Sequence, residues 1–378
     1  MNYSNNSSAA EQLDSQTATT KRQSPKKILS FFSILLAGMF LFGGAANSAT
    51  TIKFATLAPE GTSWLKTMRD FFKDVSKKTE NRIKFKVYPG GIAGDEKDVI
   101  RKIRIGQLHS GAFTGVGIGI IAPSVRILDM PFLFKNTDEV DFVLNKFDSK
   151  FRKAFEKKGY ILLGWSEVGS VNIMANKPIK KPEDLSDVKM WLWEGDPVAH
   201  ATFKAMKINP IPLSITDVMS SLETGMIDGI YTSPLSAIAL QWFTKMKYAL
   251  SLPITNASGA VLISKRSFNR LSAKDKKIIL KAGKKYFRKL TLLSRADNKK
   301  SINTLKKHDI IFTDPDSKKT VKIFEAMGKE ARKSLVGKLY SEKLMKEVEN
   351  AIKEYRKSQR TQKLRKSAKN NKKTKAGN

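Results

Sequence analysis

The chain has 378 residues, 41% hydrophobic and 28% charged, which is the balance of a globular protein long enough for about two domains. It has no cysteine, so disulfides, cysteine-ligated metals, thiol nucleophiles and a lipid-modified amino-terminal cysteine are excluded. Its 69 Lys and Arg against 35 Asp and Glu give a net charge of +34, concentrated in part between residues 353 and 378. That excess suits an anionic surface such as membrane lipid, which a basic tail would meet first, or it reflects a lysine-biased proteome.

Lys21, Arg22, Lys26 and Lys27 precede the apolar run Ile28 to Ala46, and Ala46-Asn47-Ser48-Ala49 then offers small residues for cleavage. This order reads as an export signal over 1–49 and a protein of the periplasm, with an uncleaved amino-terminal anchor as the alternative. Export argues against nucleic acid as the partner of the basic charge.

Thr51 to Thr56 reads as a strand, followed by a helix from Trp64 with apolar residues at Leu65, Met68, Phe71, Phe72 and Val75, capped by Thr62 or Ser63. A second strand over Arg82 to Tyr88, a helix over Asp95 to Gly106 and a third strand over Gln107 to Gly115 complete a β-α-β-α-β series, the signature of a parallel α/β sheet. Gly115, Gly117 and Gly119 lack the spacing of a phosphate loop and read as flexible backbone near a cleft. Thr137 to Lys158 is helical in pattern and Tyr160 to Trp165 is a strand. Val188 to Trp193 alternates as a short strand with Trp191 and Trp193 on one face, ending at Gly195-Asp196-Pro197. Taken alone, a Trp-x-Trp strand is core; a cleft wall is the competing reading. A helix over Ile215 to Gly225 and a strand over Ile227 to Tyr231 follow. Ser272 with Asp275 then resembles a capping box opening a helix that runs to about Lys307, on the order of 50 Å. Asp309 to Thr313 is a last strand and two helices lead into 356–378, a basic tail whose low complexity predicts disorder.

Several blocks recur in a recognisable order: Ile103 to Leu108, Asp129-Met130-Pro131-Phe132-Leu133-Phe134, Asn176 to Ile179 with Pro182 to Leu185, Ser221 to Gly229, and Lys265 to Leu271. Together they resemble the solute-binding proteins of tripartite ATP-independent periplasmic (TRAP) transporters, the C4-dicarboxylate-binding (DctP-like) family. The resemblance implies an α/β, two-lobed periplasmic solute-binding protein with a ligand cleft between the lobes and a long helix spanning both. Lobe I is expected over 50–167 with 257–296 returning to it, and lobe II over 168–256 with 297–355. The implied partners are a small-molecule ligand and the small and large integral-membrane subunits, with no cofactor.

Family members place arginines that grip the ligand carboxylate where this chain has Trp191 and, nearby, Val171. A guanidinium forks onto a carboxylate; an indole supplies area and a single N–H donor. The expected ligand is therefore more apolar or larger than a C4 acid, with one polar end. The family's cleft-facing segments add Trp64, Phe113, Thr114, Tyr231, Ser233 and Asn256 as candidate wall residues. Glu194 and Asp196 are expected to cap the next helix or to hold a cation with the ligand, while Met174 and Trp193 read as core. His109, His200 and His308 lie in no metal-ligand spacing, and no nucleophile with a base is present to suggest a hydrolase. An exported carrier or sensor-input protein on the same scaffold, or a carboxylate binder using other polar groups, is the alternative.

Overall fold

The computed structural model describes residues 49–375. The export signal and its anchor alternative lie outside the described residues. Strand β1 (Thr50–Ala55) pairs in parallel with β2 (Ile83–Tyr88) and β3 (Ser110–Thr114), connected by helices α1 (Ser63–Lys78) and α2 (Glu96–Arg104). In α1, Leu65, Met68, Phe71, Phe72 and Val75 fall on one buried stripe, and Thr62 caps the first turn by accepting from the Leu65 N–H at 3.3 Å. Each such side chain contributes roughly 1.5–3 kcal/mol by leaving water.

The chain continues through α3 (Gly115–Ile121), a 3-10 turn over Pro123–Asp129 and α4 (Thr137–Lys157) into β4 (Tyr160–Ala175). β4 is ten residues longer than the sequence pattern suggested. Register shifts beside Leu162/Gly164 and Glu167/Gly169 break its alternation, so period two alone ends it at Trp165. It pairs antiparallel with β9 (Thr255–Ser264) for most of its length, and the two strands cross from one half of the molecule to the other. The far end of β4 carries β7 (Gly229–Thr232) and β8 (Tyr248–Leu250), and β10 (Ile311–Thr313) pairs with β8. The sheet order is β10-β8-β4-β9-β3-β1-β2, with β7 beside β4. β5 (Trp191–Trp193) and β6 (Ile211–Leu213) form a separate parallel pair.

Between these strands lie α5 (Pro197–Ala205), α6 (Val218–Glu223) and α7 (Pro234–Ala239), and β9 leads to α8 (Lys265–Asn269). Helix α9 (Ala273–Lys307) has 35 residues and starts at Ser272, whose hydroxyl accepts from the Asp275 N–H at 3.0 Å. Its Ile279, Ala282, Phe287 and Leu290 pack with β1 and α1, whereas Leu305 packs beside Trp191 and Ile227. One helix therefore braces both halves, as expected of the two-lobed α/β fold.

The carboxy-terminal helices are α10 (Lys318–Ser334) and α11 (Glu342–Lys375). Two expectations change here. Residues 356–375, read as a disordered tail, continue α11; their lysines and arginines are good helix formers, and low complexity does not forbid a helix. Residues 340–352, assigned to the second lobe, contribute Tyr340, Leu344, Val348 and Ile352 to the core containing Val143, Phe151 and Phe155 of the first.

Candidate functional site

Where the two halves meet, a cavity of about 130 Å³ is enclosed by Thr114, Gly115 and Arg126 from the first half and Trp191, Trp193, Asp196, Tyr231 and Ser233 from the second, with Val171 and Ala257 of the crossing strands between them. A smaller cavity of about 90 Å³ adjoins it and is lined by Trp64, Phe113 and Glu96. Thr114 faces both. Seven of the nine candidate wall residues thus line one or other of these two cavities.

The remaining two do not. Asn256 follows Thr255 and precedes Ala257, which line the cleft cavity, and strand alternation turns its own side chain to the opposite face. Glu194 is exposed at the rim, where it forms an ion pair with Lys97. Its neighbour Asp196 adopts the capping role, accepting from the Val198 N–H at 2.9 Å.

Trp191 is 2% exposed and behaves more as a packed core residue than as a free wall. Its ring stacks with Tyr231 at 5.1 Å and Trp193 at 5.9 Å and meets Trp242 edge-on at 5.2 Å, and its indole N–H donates to the Leu213 carbonyl at 3.1 Å. Trp193, read as core, is buried but also borders the cavity. Its indole N–H donates across the cleft to Asp95 at 3.0 Å. Asp95 also accepts from the Ser214 hydroxyl at 2.7 Å. With Lys97–Glu194 and Arg126–Asp196, these contacts join the two halves over the cavity. Trp64 closes the adjoining cavity by donating from its indole to the Ser294 hydroxyl of α9 at 2.7 Å.

Sequence reasoning passed over Arg126. It is the one Lys or Arg among the described residues lining the cleft cavity, and both ends of its guanidinium are occupied by the chain's own carboxylates: Nη1 donates to Asp129 at 3.1 Å and Nη2 to Asp196 at 2.6 Å. Its Nε makes no hydrogen bond. Burial alone would lower the Arg126 pKa, but Asp196 and Asp129 together raise it. Burial pushes the Asp129 carboxyl up, against the pull of Arg126 and of Ser258, whose backbone N–H donates to it at 2.7 Å. Tyr231 is held neutral, its hydroxyl pushed well above the ordinary range by burial and then by the Asp196 charge. One guanidinium thus faces two carboxylates in an apolar surround. The available signal was an Arg and an Asp three residues apart inside the otherwise apolar run Val125 to Met130, a spacing that lets a buried pair close on itself.

The glycine segment also differs from expectation. It forms α3, and its glycines are needed for closeness rather than flexibility. A Cβ on Gly115 would lie 2.0 Å from Arg126 Nη1 and 2.1 Å from Asp129 Oδ2, and one on Gly117 would lie 2.6 Å from the Phe113 ring and 2.7 Å from Glu96 Oε2. Glu96 accepts from the Thr114 N–H and the Gly117 N–H, each at 2.6 Å, at the helix start. Burial nevertheless pushes its carboxyl up to about 7.

Residues 54–338 match the family model described as bacterial extracellular solute-binding protein, family 7. The chain belongs to that family. Among its relatives is a solute-binding protein of Chromohalobacter salexigens, 28% identical over 219 residues, an alignment covering 57% of this chain and 65% of the relative. The chain thus spans somewhat less than two thirds of that relative. The 2,3-diketo-L-gulonate-binding periplasmic protein YiaO of Escherichia coli is 25% identical over 312 residues, covering 81% of this chain and 93% of that protein. In structure, the fold matches a sugar acid binding protein of Advenella mimigardefordensis in complex with galactonate, with a TM-score of 0.76 at 24% identity over 81% of this chain and 99% of that one. These family members and structural neighbours are binding proteins rather than enzymes, and the TRAP solute-binding family is the one that the sequence blocks resemble.

Proposed function

We propose that this family member is the extracytoplasmic solute-binding subunit of a TRAP-type transporter, that it works in the periplasm, and that it captures a small organic ligand more apolar than a C4-dicarboxylate and delivers it to small and large membrane subunits. The observation that carries the ligand assignment is the state of Arg126: the cleft cation is already neutralised by Asp129 and Asp196, and the rest of the wall is Trp193, Tyr231, Val171 and other mainly apolar surface, interrupted by neutral hydroxyl side chains such as Thr114 and Ser233. A dicarboxylate entering here would lose water at both ends and find no free fork to replace it. An apolar body would gain contact area with the indole and phenol rings.

Binding would draw lobe I, residues 50–167 with 257–296, onto lobe II, residues 168–256 with 297–339; residues 340–352 are grouped with the first lobe on the evidence of their packing. Arg126–Asp196, Asp95–Trp193 and Lys97–Glu194 then act as the contacts of the closed state. The polar relatives' ligands define the contrast, since one relative's name specifies 2,3-diketo-L-gulonate and one structural match holds galactonate. Native mass spectrometry of ligand that copurifies with the protein tests the assignment. A molecule with an apolar body and at most one acid group is expected; a copurifying C4-dicarboxylate or sugar acid would overturn it.

A further inference from the structure

The start of β9 has a second face. Behind the cleft, on the side to which Asn256 turns, a groove of about 630 Å³ runs between the crossing strands and the carboxy-terminal helices. Its floor is apolar, built from Phe132, Leu252, Pro253 and Ile254. Its walls carry Lys135, Lys322, Lys329, Arg332 and Arg356 against a single acid, Glu325. Arg356 is engaged by Glu139 at 2.7 and 2.8 Å, which leaves four cations facing one carboxylate. On α10 the positions Lys322, Glu325, Ala326 and Lys329 fall on one helical face, so the lysines reach the groove together.

Two buried polar groups at this groove have no partner. Asn256 is 9% exposed, and neither its amide oxygen nor its amide nitrogen makes a hydrogen bond. Arg332 is likewise 9% exposed; its Nη1 donates to the Pro131 carbonyl, while Nε is unpartnered. Buried amides and guanidinium N–H groups are seldom left unpaired in a native fold, and a cluster of them beside a cationic wall indicates a missing occupant. Phe132 on the floor also holds a φ of +53°, a conformation costly for a bulky side chain and retained where surrounding structure demands it.

We propose that this hinge-side groove is a binding site for an organic anion with an apolar part, the acid group being a carboxylate or a phosphate. Lys135, Lys322 and Lys329 supply the charge, Phe132, Leu252 and Ile254 cover the apolar portion, and the unpartnered Asn256 amide and Arg332 Nε–H, both closed from solvent, turn to meet the acid group as it enters. The site is separate from the cleft, and its assignment stands whatever the identity of the cleft ligand. The two nevertheless share a wall: Ile254 and Thr255 border both cavities. An occupant of the groove therefore biases the crossing strand on which cleft closure turns, and by linkage the cleft ligand alters affinity at the groove by the same factor.

The test uses the exported chain, labelled with nitrogen-15 and titrated with octyl phosphate and octanoate at concentrations where both are monomeric. The Asn256 side-chain amide and Arg332 Nε–H resonances are followed, with the Trp193 indole N–H as the reporter of the cleft. Saturable shifts at Asn256 and Arg332 with at least one of the two acids are expected, at concentrations at least tenfold lower than inorganic phosphate requires, with octanol producing none. The exposed-site double variant Lys322→Glu/Lys329→Glu should weaken binding about tenfold or more, as reversal of two near charges does. Absence of saturable shifts with both acids, equal shifts with octanol, or an unchanged titration in the double variant would overturn the proposal. Shifts confined to Trp193 would also overturn it, while leaving the cleft assignment standing.

Discussion

The two faces of the strand segment Ile254 to Ala257 use cations in opposite ways. On the cleft face Arg126 is buried and held at both ends by Asp129 and Asp196, so that the only guanidinium lining the cavity among the described residues already has its counter-charge. On the hinge face Lys135, Lys322 and Lys329 have no ion-pair partner among the described residues, and Asn256 and Arg332 keep unpartnered polar atoms. The number of basic residues near a cavity therefore says little about its taste for anions. What matters is whether the chain has already supplied the counter-charge.

The sharpest way to break the comparison is to remove the compensated cation. Arg126→Met leaves two buried carboxylates without their counter-charge, and breaking a buried pair on one side costs about 3–5 kcal/mol. Urea denaturation should show a loss of this size, with Arg126→Met/Asp196→Asn recovering part of it. A loss below about 1 kcal/mol would place Arg126 among surface charges instead.

Glu96, behind the adjoining cavity, gives a second effect with a definite sign. Its carboxyl is raised from 4.5 to about 7 in the fold by burial, so the folded chain binds more protons than the unfolded one between these values. Its contribution is fully present below pH 4.5, falls as pH rises through the window and is gone above about 7, amounting to about 3 kcal/mol by the standard conversion. Stability measured from pH 4 to 8 should decline less steeply in Glu96→Gln. Parallel profiles for the two proteins would refute the assignment.

The smallest effect belongs to the hinge face. Lys322→Glu and Lys329→Glu change exposed, uncompensated side chains, and their unfolding free energies should stay within about 0.5 kcal/mol of the parent. Thermal unfolding that dropped by many degrees would mean that these lysines are structural.

The sequence made the scaffold legible where periodicity and caps are local. Thr62 and Ser272 open α1 and α9 at the residues read from the chain, and Trp191 with Trp193 share a face because period two requires it. The crossing strand β4 was legible only to Trp165, since its bulges break alternation and the pairing that rescues it comes from β9. The site was half legible. Val171, Thr114, Tyr231 and Ser233 border the cleft cavity, but Asn256 lies one residue out of phase, and Glu194 follows the strand on which the Trp pair is buried and ends in solvent. Arg126 was missed because its role depends on Asp196, seventy residues away, and no local pattern encodes that contact. The glycines of α3 were misread for the same reason: their constraint is the Arg126–Asp129 pair and Glu96, not their own backbone.

The central claim is that the cleft accepts an apolar body and refuses a second carboxylate. Calorimetric titration of the full chain with succinate, malate, hexanoate and phenylacetate in one buffer tests it directly. The apolar monoacids should bind with dissociation constants at least tenfold below those of the diacids, a difference of about 1.4 kcal/mol or more. Succinate or malate binding more tightly than either monoacid would contradict it.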